Sequence, residues 1–266
     1  MSGLGSVTPV AIRRIVLQQS RRAHVGHIGS ALCVADVLAA LYGSVLRIAS
    51  PREADRDRFV LSKGHAALAL YAALHLRGWL DAAELDGYCA DGSFLGVHPV
   101  RELPGVDFST GSLGMGLSFG AGAALAARLR GSSRRAFVLL SDAECDEGST
   151  WEAAMFAAHH RLAGLTALVD ENGQQALGRT RDVLDLSPLS ERWRAFGWEA
   201  RDVDGNDARA VAAAARRPAE DGRPLVLVCH TTFGKGVSFM EGRVEWHYSP
   251  MSEEEYERAL REVEPA

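Results

Sequence analysis

The chain has 266 residues, of which 47% are hydrophobic, and a net charge of −5 from 29 basic and 34 acidic residues. This length suffices for one large α/β domain with a substantial core or for two small domains. Because the arginines are scattered and form no basic stripe, we expect no nucleic-acid partner.

The sequence also gives evidence on the number of domains, the cellular compartment and membrane segments. The sequence has no repeat and no linker rich in Pro, Gly or Ser, so we predict a single domain over residues 1–266. The cysteines form no CxxC pair, which suits a reducing cytosol, and no basic-then-apolar leader precedes residue 25. The uncharged run 108–127 holds five glycines and predicts a buried helix rather than a membrane span. We expect a cytoplasmic protein without a membrane segment.

The first elements of the chain are two helices around a glycine-containing turn. Thr8 followed by Pro9 predicts a capped helix ending near Ala23. The turn HVGHIGS carries His27, and Ser30 is the predicted N-cap of the next helix, 31–46.

Two further histidines follow in segments that can face a ligand. Residues 58–61 predict a strand, and His65 opens a helix directly after the next turn. Such a turn lies at the carboxyl edge of a parallel sheet, where α/β proteins bind ligands. His98 precedes Pro99, which keeps the backbone extended. The alternatives are a helix-capping histidine and a solvated loop histidine.

A glycine-rich loop precedes the next helix. The sequence STGSLGMG, residues 109–116, has glycines that let the backbone approach a flat ligand closely. The helix predicted from about Leu117 presents free N–H groups at its start. Taken alone this signal is weak, because glycine-rich turns before helices are common.

The centre of the chain predicts a strand–helix–strand unit. Phe137–Leu140 and Leu165–Val169 are short apolar runs typical of strands buried on both faces. Between them, 149–162 has apolar residues at helical spacing, with Ser149 as the predicted N-cap. The order predicts a right-handed βαβ crossover.

Polar residues follow both of these strands. Asp142 follows the first strand and Asn172 the second, so both side chains should lie at the carboxyl edge of the sheet. With the backbone carbonyl of Gln174, they would offer three oxygen ligands to a Mg²⁺ ion that also binds a diphosphate. The alternative is a capping Asp and an Asn-Gly turn.

The rest of the chain predicts further alternation of helices and strands. Ser187 before Pro188 is the predicted start of a helix, and a helix at 207–217 separates strands at 198–203 and 224–229. A charged helix covers 253–263. We therefore predict an α/β fold, a three-layer sandwich with a mostly parallel sheet.

These motifs together resemble a known family. An acidic residue after a strand and Asn172 thirty positions beyond Asp142 are similar to the thiamine-diphosphate signature, Gly-Asp-Gly followed by Asn. The segments DEGSTWEAAMFAAHH, VDENGQQ and WRAFGWEARDVDGND resemble the amino-terminal diphosphate-binding domain of transketolases, especially those split into two subunits. The resemblance extends from about Arg13 to about His247.

The resemblance implies a role for each candidate site residue. His27, His65 and His98 would bind sugar hydroxyls and shuttle protons, and Glu147 would relay protons at a subunit interface. The cofactor would contact Gly111 and Leu113 at its aminopyrimidine end, and Asp142, Ala143, Asn172 and His247 around its diphosphate. The Mg²⁺ ligands would be Asp142, Asn172 and Gln174.

The chain departs from the family pattern at three places. Ile28 replaces a proline, Val97 replaces a glycine before His98, and Ser141-Asp142-Ala143 replaces Gly-Asp-Gly. If Ala143 needed a positive φ, its Cβ would cost on the order of 1 kcal/mol or more.

The implied activity is transfer of a two-carbon ketol unit between sugar phosphates by Mg²⁺-bound thiamine diphosphate. A C-terminal transketolase subunit with the pyrimidine-binding domain would complete the enzyme, in an α₂β₂ assembly. Two alternatives stay open. One is a subunit of another thiamine-diphosphate enzyme, a 2-oxoacid decarboxylase or a deoxyxylulose-phosphate-synthase-like enzyme. The other is a non-catalytic remnant of the domain.

Overall fold

A parallel sheet forms the centre of the molecule. The computed structural model describes residues 6–217 and 219–264. A two-stranded antiparallel hairpin, β4 (Gln174–Gln175) and β5 (Gly178–Arg179), follows the third strand of the sheet. The sheet itself has five parallel strands in the order β1 (Arg58–Leu61), β2 (Ala136–Ser141), β3 (Leu165–Glu171), β7 (Leu225–His230) and β6 (Glu199–Asp204).

Helices cover both faces of the sheet. Short 3₁₀ turns lie at Gly64–Ala66, Ala143–Asp146 and Val244–His247. The α-helices of the described residues are α1 (Pro9–Ala23), α2 (Ile28–Cys33), α3 (Ala35–Ala40), α4 (Ala67–Leu76), α5 (Ala82–Leu85), α6 (Gly116–Leu129), α7 (Gly148–His159), α8 (Thr180–Val183), α9 (Leu189–Ala195), α10 (Ala208–Arg216) and α11 (Glu253–Val263).

The alternation of side chains along each strand divides the core in two. Phe137 and Leu139 of β2 pack into a core shared with α1, α3, α4 and α10. Val138 and Leu140 point the other way, into a core shared with α6, α7 and α9. Burying each such side chain contributes roughly 1.5–3 kcal/mol, so the sheet is stabilised from both faces. The predicted three-layer sandwich with its parallel sheet is confirmed, as is the βαβ unit β2–α7–β3.

The entry into α2 differs from the prediction. Ser30 was expected to cap a helix over 31–46, but α2 begins at Ile28 and His27 occupies the N-cap with a left-handed φ of 61°. The His27 N–H donates to the carbonyl of His247 at 3.2 Å, so a contact with a remote segment fixes where the helix starts. Ile28, which stands where the family has proline, is 1% exposed and occupies the first helical position, where proline is also tolerated. The helix is interrupted at Val34 and ends in a π-helical turn at 41–45.

Two other serines were also wrongly predicted as helix caps. Glu147 occupies the N-cap of α7, and the hydroxyl of Ser149 instead donates to the carbonyl of Gly114 at 3.0 Å. Ser187 lies two residues before α9, and its N–H donates to the Asp185 carboxylate at 2.9 Å. Tertiary and turn contacts therefore override the local capping pattern at both sites.

The uncharged stretch 108–127 is helical within the protein from Gly116 onwards, and residues 108–115 form the preceding loop. Its second half belongs to α6, in which Leu117 and Ala121 are buried against the sheet. In the described parts of the chain, no helix combines the length and apolar character needed to cross a bilayer.

Candidate active site

The candidate site lies at the carboxyl edge of the sheet. Strands β1, β2 and β3 lead directly into the segments that carry His65, Asp142 and Asn172. A cavity of about 280 Å³, hereafter the histidine cavity, opens at this edge. Its lining includes eight of the predicted site residues, which are His27, His65, Leu113, Ala143, Glu147, Asn172, Gln174 and His247.

Four imidazoles form a cluster: His27, His65 and His247 line this cavity, and His98 packs on His65 without being part of the lining. The ring centroids lie 4.8 Å apart for His27 and His65, 4.5 Å for His65 and His98, and 5.2 Å for His27 and His247. The four residues come from four separate segments of the chain, and all are half-buried. The fold therefore brings together every histidine that the sequence singled out.

The imidazoles of this cluster are neutral near pH 7. Burial, together with neighbouring positive charge, lowers the pKa of His27, His65 and His247 to about 4. Burial also lowers the pKa of His98. A neutral imidazole both donates and accepts a hydrogen bond, which suits the hydroxyl groups of a sugar.

Three nitrogens of the cluster lack a partner within the described chain. His27 Nδ1, His98 Nε2 and His247 Nδ1 are buried without a hydrogen bond. Buried polar atoms are normally paired, so these nitrogens fit a ligand that supplies donors and acceptors. A polyoxygenated cofactor or substrate meets that requirement.

Asp142 is buried at the end of β2 and holds the neighbouring turns. Its Oδ1 accepts from the Ala143 N–H at 2.9 Å, and its Oδ2 accepts from the Gly173 N–H and the Thr180 hydroxyl, both at 2.9 Å. Burial and the nearby charge of Asp170 raise the pKa of Asp142 to about 7. A bound divalent cation would oppose that shift by favouring the carboxylate.

Asp142 and the histidines do not line the same cavity. Asp142 lines a neighbouring cavity of about 550 Å³, and Asn172 and Gln174 form a wall common to both cavities. Asn172 Oδ1 accepts from the Gln174 N–H at 2.9 Å. The described residues contain no cluster of three His, Cys, Asp or Glu ligands. The predicted set still fits Mg²⁺, because it consists of one carboxylate with amide and backbone oxygens that keep free lone pairs.

The departure at Ala143 carries no backbone strain. Asp142 has a φ of −58°, and the φ of Ala143 does not lie in the left-handed region that favours glycine. By contrast, Gly111 has φ 155°, and a Cβ there would lie 3.1 Å from the His98 ring. Alanine is therefore accommodated at position 143, whereas Gly111 must remain small to pack on His98.

A buried ion pair below Asn172 was not predicted. Asp170 is fully buried, and its Oδ2 accepts from Lys63 Nζ and from Asn172 Nδ2, the latter at 2.7 Å. Burial opposes both charges, yet the attraction between them lowers the pKa of Asp170 and raises that of Lys63. The pair fixes the orientation of the Asn172 amide. The available signal was an aspartate directly after the apolar run Leu165–Val169 and still within β3, since buried charges are rarely unpaired.

Comparison with known proteins identifies the family of this chain. Residues 7–263 match the family model described as transketolase, thiamine diphosphate binding domain. One subunit of the apulose-4-phosphate transketolase of Phocaeicola vulgatus is 40% identical over 254 residues, which cover 94% of this chain and 90% of that protein. The 6-deoxy-6-sulfo-D-fructose transketolase subunit SqwG of a Clostridium species is 40% identical over 257 residues, which cover 95% of this chain and 94% of that protein.

Solved transketolases have the same fold. The enzyme from Campylobacter jejuni superposes with a TM-score of 0.88 at 27% identity, over 99% of this chain and 43% of that chain. The enzyme from Leishmania mexicana gives a TM-score of 0.86 at 29% identity, over 97% and 41%. This chain thus spans about two fifths of their length, at 43% and 41%. Because the family model covers nearly the whole sequence, the chain belongs to the transketolase family, as a thiamine diphosphate binding domain.

Proposed function

We propose that this chain is the cofactor-binding subunit of a two-subunit transketolase, which transfers a two-carbon ketol unit between sugar phosphates. The observation that carries the proposal is the cluster of four neutral histidines beside Asn172 and Gln174. The relatives of similar length, whose names include transketolase subunits, support it. A decarboxylase of small 2-oxoacids would not need so many hydroxyl-binding imidazoles.

The active assembly requires a second chain. Residues 1–266 form one domain in this proposal, with both cores built on one sheet. A C-terminal transketolase subunit would supply the pyrimidine-binding domain and the glutamate that activates the aminopyrimidine, in a cytoplasmic α₂β₂ complex. Support comes from the relatives at 40% identity, which are named as single subunits of transketolases.

The cofactor would lie across the carboxyl edge of the sheet. Asp142, Asn172 and the Gln174 carbonyl would hold Mg²⁺, with diphosphate oxygens and water in the remaining positions. Gly111 and Leu113 would contact the aminopyrimidine end through their backbone, while Ala143 and His247 would contact the diphosphate. When bound, thiamine diphosphate supplies the nucleophilic carbon and the electron sink that ketol transfer needs.

The protein side chains would bind the sugar and move protons. His27, His65 and His98 would hold substrate hydroxyls and, being neutral, accept a proton from a hydroxyl and return it later in the cycle. Glu147 is exposed at the N-cap of α7 and lines the histidine cavity, which suits a proton relay towards a neighbouring subunit.

The test is an assay of this chain together with the second chain that copurifies with it. We expect the pair to bind thiamine diphosphate only with Mg²⁺, measured by calorimetry, and to use ketose phosphates as donors. Pyruvate should be a poor donor. Turnover of pyruvate in place of ketose phosphates would point to another thiamine-diphosphate enzyme, and absence of Mg²⁺-dependent binding would contradict any enzymatic role.

A further inference from the structure

A second buried carboxylate, Glu144, lies beside the proposed cofactor site and has no role in the proposed reaction. Its side chain is 0% exposed. Oε1 accepts from the Gly114 N–H at 2.8 Å and from the Ser62 hydroxyl at 2.5 Å, and Oε2 accepts from the Ser141 N–H at 3.2 Å. One carboxylate therefore joins three segments that are remote from one another in sequence.

Glu144 and Ser141 stabilise the turn that carries Asp142. The Ser141 hydroxyl accepts from the Glu144 N–H at 3.2 Å, and the Glu144 carboxylate accepts from the Ser141 N–H in return. This reciprocal pattern is a capping box, Ser-x-x-Glu. Ser141 occupies the position of the first glycine in the family motif. Its hydroxyl adds one hydrogen bond that glycine could not make, the one from the Glu144 N–H, to the turn that ends in Ala143.

The glycine-rich loop is held tightly on the other side of Glu144. The Gly116 N–H donates to the Ser62 hydroxyl at 3.0 Å, and the Ser149 hydroxyl donates to the Gly114 carbonyl at 3.0 Å. A Cβ on Gly114 would lie 2.5 Å from Ser149 Oγ and 2.7 Å from Glu147 Cβ. A Cβ on Gly116 would collide with Ser62. The backbone at Gly114 and Gly116 is therefore packed directly against Ser62, Glu147 and Ser149.

We propose that Glu144 is a positioning residue for the cofactor, because it sets the spacing between the glycine-rich loop, 109–116, and the turn 141–143. The inference rests on the proposed function, in which the two segments contact opposite ends of one ligand. A ligand that spans two half-sites gains affinity only while both are held at the matching distance. Loosening the contacts of Glu144 should therefore weaken binding of the whole cofactor more than binding of a fragment that occupies only one end of the site.

The experiment compares two ligands on three variants of the two-subunit complex. Ser62→Ala removes the donor to Glu144 and the acceptor of the Gly116 N–H. Glu144→Gln replaces one carboxylate oxygen by an NH₂ group, which cannot accept the hydrogen bonds that this oxygen accepts. Asp57→Asn is the matched control, since Asp57 is a buried carboxylate with several hydrogen bonds from Arg47 and Arg135 at the opposite, amino edge of the sheet. Calorimetry measures the affinity of each complex for thiamine diphosphate and for inorganic diphosphate, both in the presence of Mg²⁺.

We expect Ser62→Ala and Glu144→Gln to weaken thiamine diphosphate binding about tenfold and inorganic diphosphate binding less than about threefold. Asp57→Asn should lower the unfolding temperature without changing the ratio of the two affinities. If Glu144→Gln does not fold, Ser62→Ala decides the question. If the ratio of the two affinities is unchanged in Ser62→Ala, or changes equally in Asp57→Asn, the inference about Glu144 is wrong while the proposed function stands. A wild-type complex that binds no thiamine diphosphate overturns the proposed function and the inference with it.

Discussion

At the scale of single residues, Asp142 is the one charged group among the proposed metal ligands. Removing it as Asp142→Ala should abolish Mg²⁺-dependent binding of thiamine diphosphate, because two neutral oxygens hold the cation poorly. Titration of the cofactor with and without Mg²⁺ measures the effect. Ala143→Gly is the control and should leave the affinity unchanged within about twofold, since position 143 has no positive φ that glycine would relieve. Metal-dependent binding that survives Asp142→Ala would show that another residue holds the cation.

The histidine cluster provides the second residue-level prediction. His65→Ala and His98→Ala should each lower turnover of the reconstituted enzyme by at least about tenfold, because general acid–base groups typically contribute 10²- to 10⁴-fold. The affinity for thiamine diphosphate should change little. His75→Gln is a control, since His75 lies at the far end of α4 and its Nδ1 contacts the Leu80 carbonyl at 3.0 Å. Variants that lost cofactor but kept normal turnover at saturation would disprove the assigned roles.

The low pKa of His27 predicts a dependence of stability on pH. The group titrates near 6.5 when unperturbed and near pH 4 in the fold. Between these values the unfolded chain binds more protons, so this contribution to stability is complete above pH 6.5 and is lost as the pH falls towards 4. His27→Asn removes the imidazole, and asparagine tolerates the left-handed backbone.

Urea unfolding of wild type and His27→Asn at pH 7 and pH 5 measures this contribution. Titrating groups remote from the cluster largely cancel when the two proteins are compared at each pH. His27 also helps to lower the pKa of His65, so its removal should reduce the pH dependence of the variant further in the same direction. We expect the wild type to lose more free energy of unfolding than the variant on going from pH 7 to pH 5. Equal losses in the two proteins would mean that the fold does not keep His27 neutral.

At the scale of elements, the strands were predictable and some helix starts were not. Runs such as Phe137–Leu140 are apolar at every position, and only a strand buried on both faces explains such short runs in alternation with helices. Ser30 and Ser149 have the chemistry of N-caps, yet contacts with remote segments decide where α2 and α7 begin. Local sequence cannot encode those contacts.

The same distinction applies to the candidate site. Its histidines and its Asp142–Asn172 spacing belong to recognisable short motifs, so resemblance to a family identified them. The pairs Lys63–Asp170 and Ser62–Glu144 join residues 107 and 82 positions apart, and no local pattern links their members. Only the sheet topology, which places the ends of β1, β2 and β3 side by side, brings these partners together.

At the scale of the whole molecule, the proposal requires that this chain be inactive alone. In the proposal, residues 1–266 provide the diphosphate side of the site, and the partner subunit provides the carboxylate that activates the aminopyrimidine. We expect no ketol transfer from the purified chain and full activity after addition of the partner subunit, measured by the same coupled assay. Denatured partner is the control. Turnover by the isolated chain comparable to that of the pair would contradict the two-subunit proposal.

The bond between the His27 N–H and the His247 carbonyl has a consequence for biosynthesis. The cavity receives side chains from near the beginning of the chain and from beyond β7, so a ribosome must release almost the entire polypeptide before the pocket can close. Until then the cavity lacks the part of its lining that His247 and Tyr248 supply. Closure of the cavity is thus a late event of folding, because it depends on a contact between residues 220 positions apart.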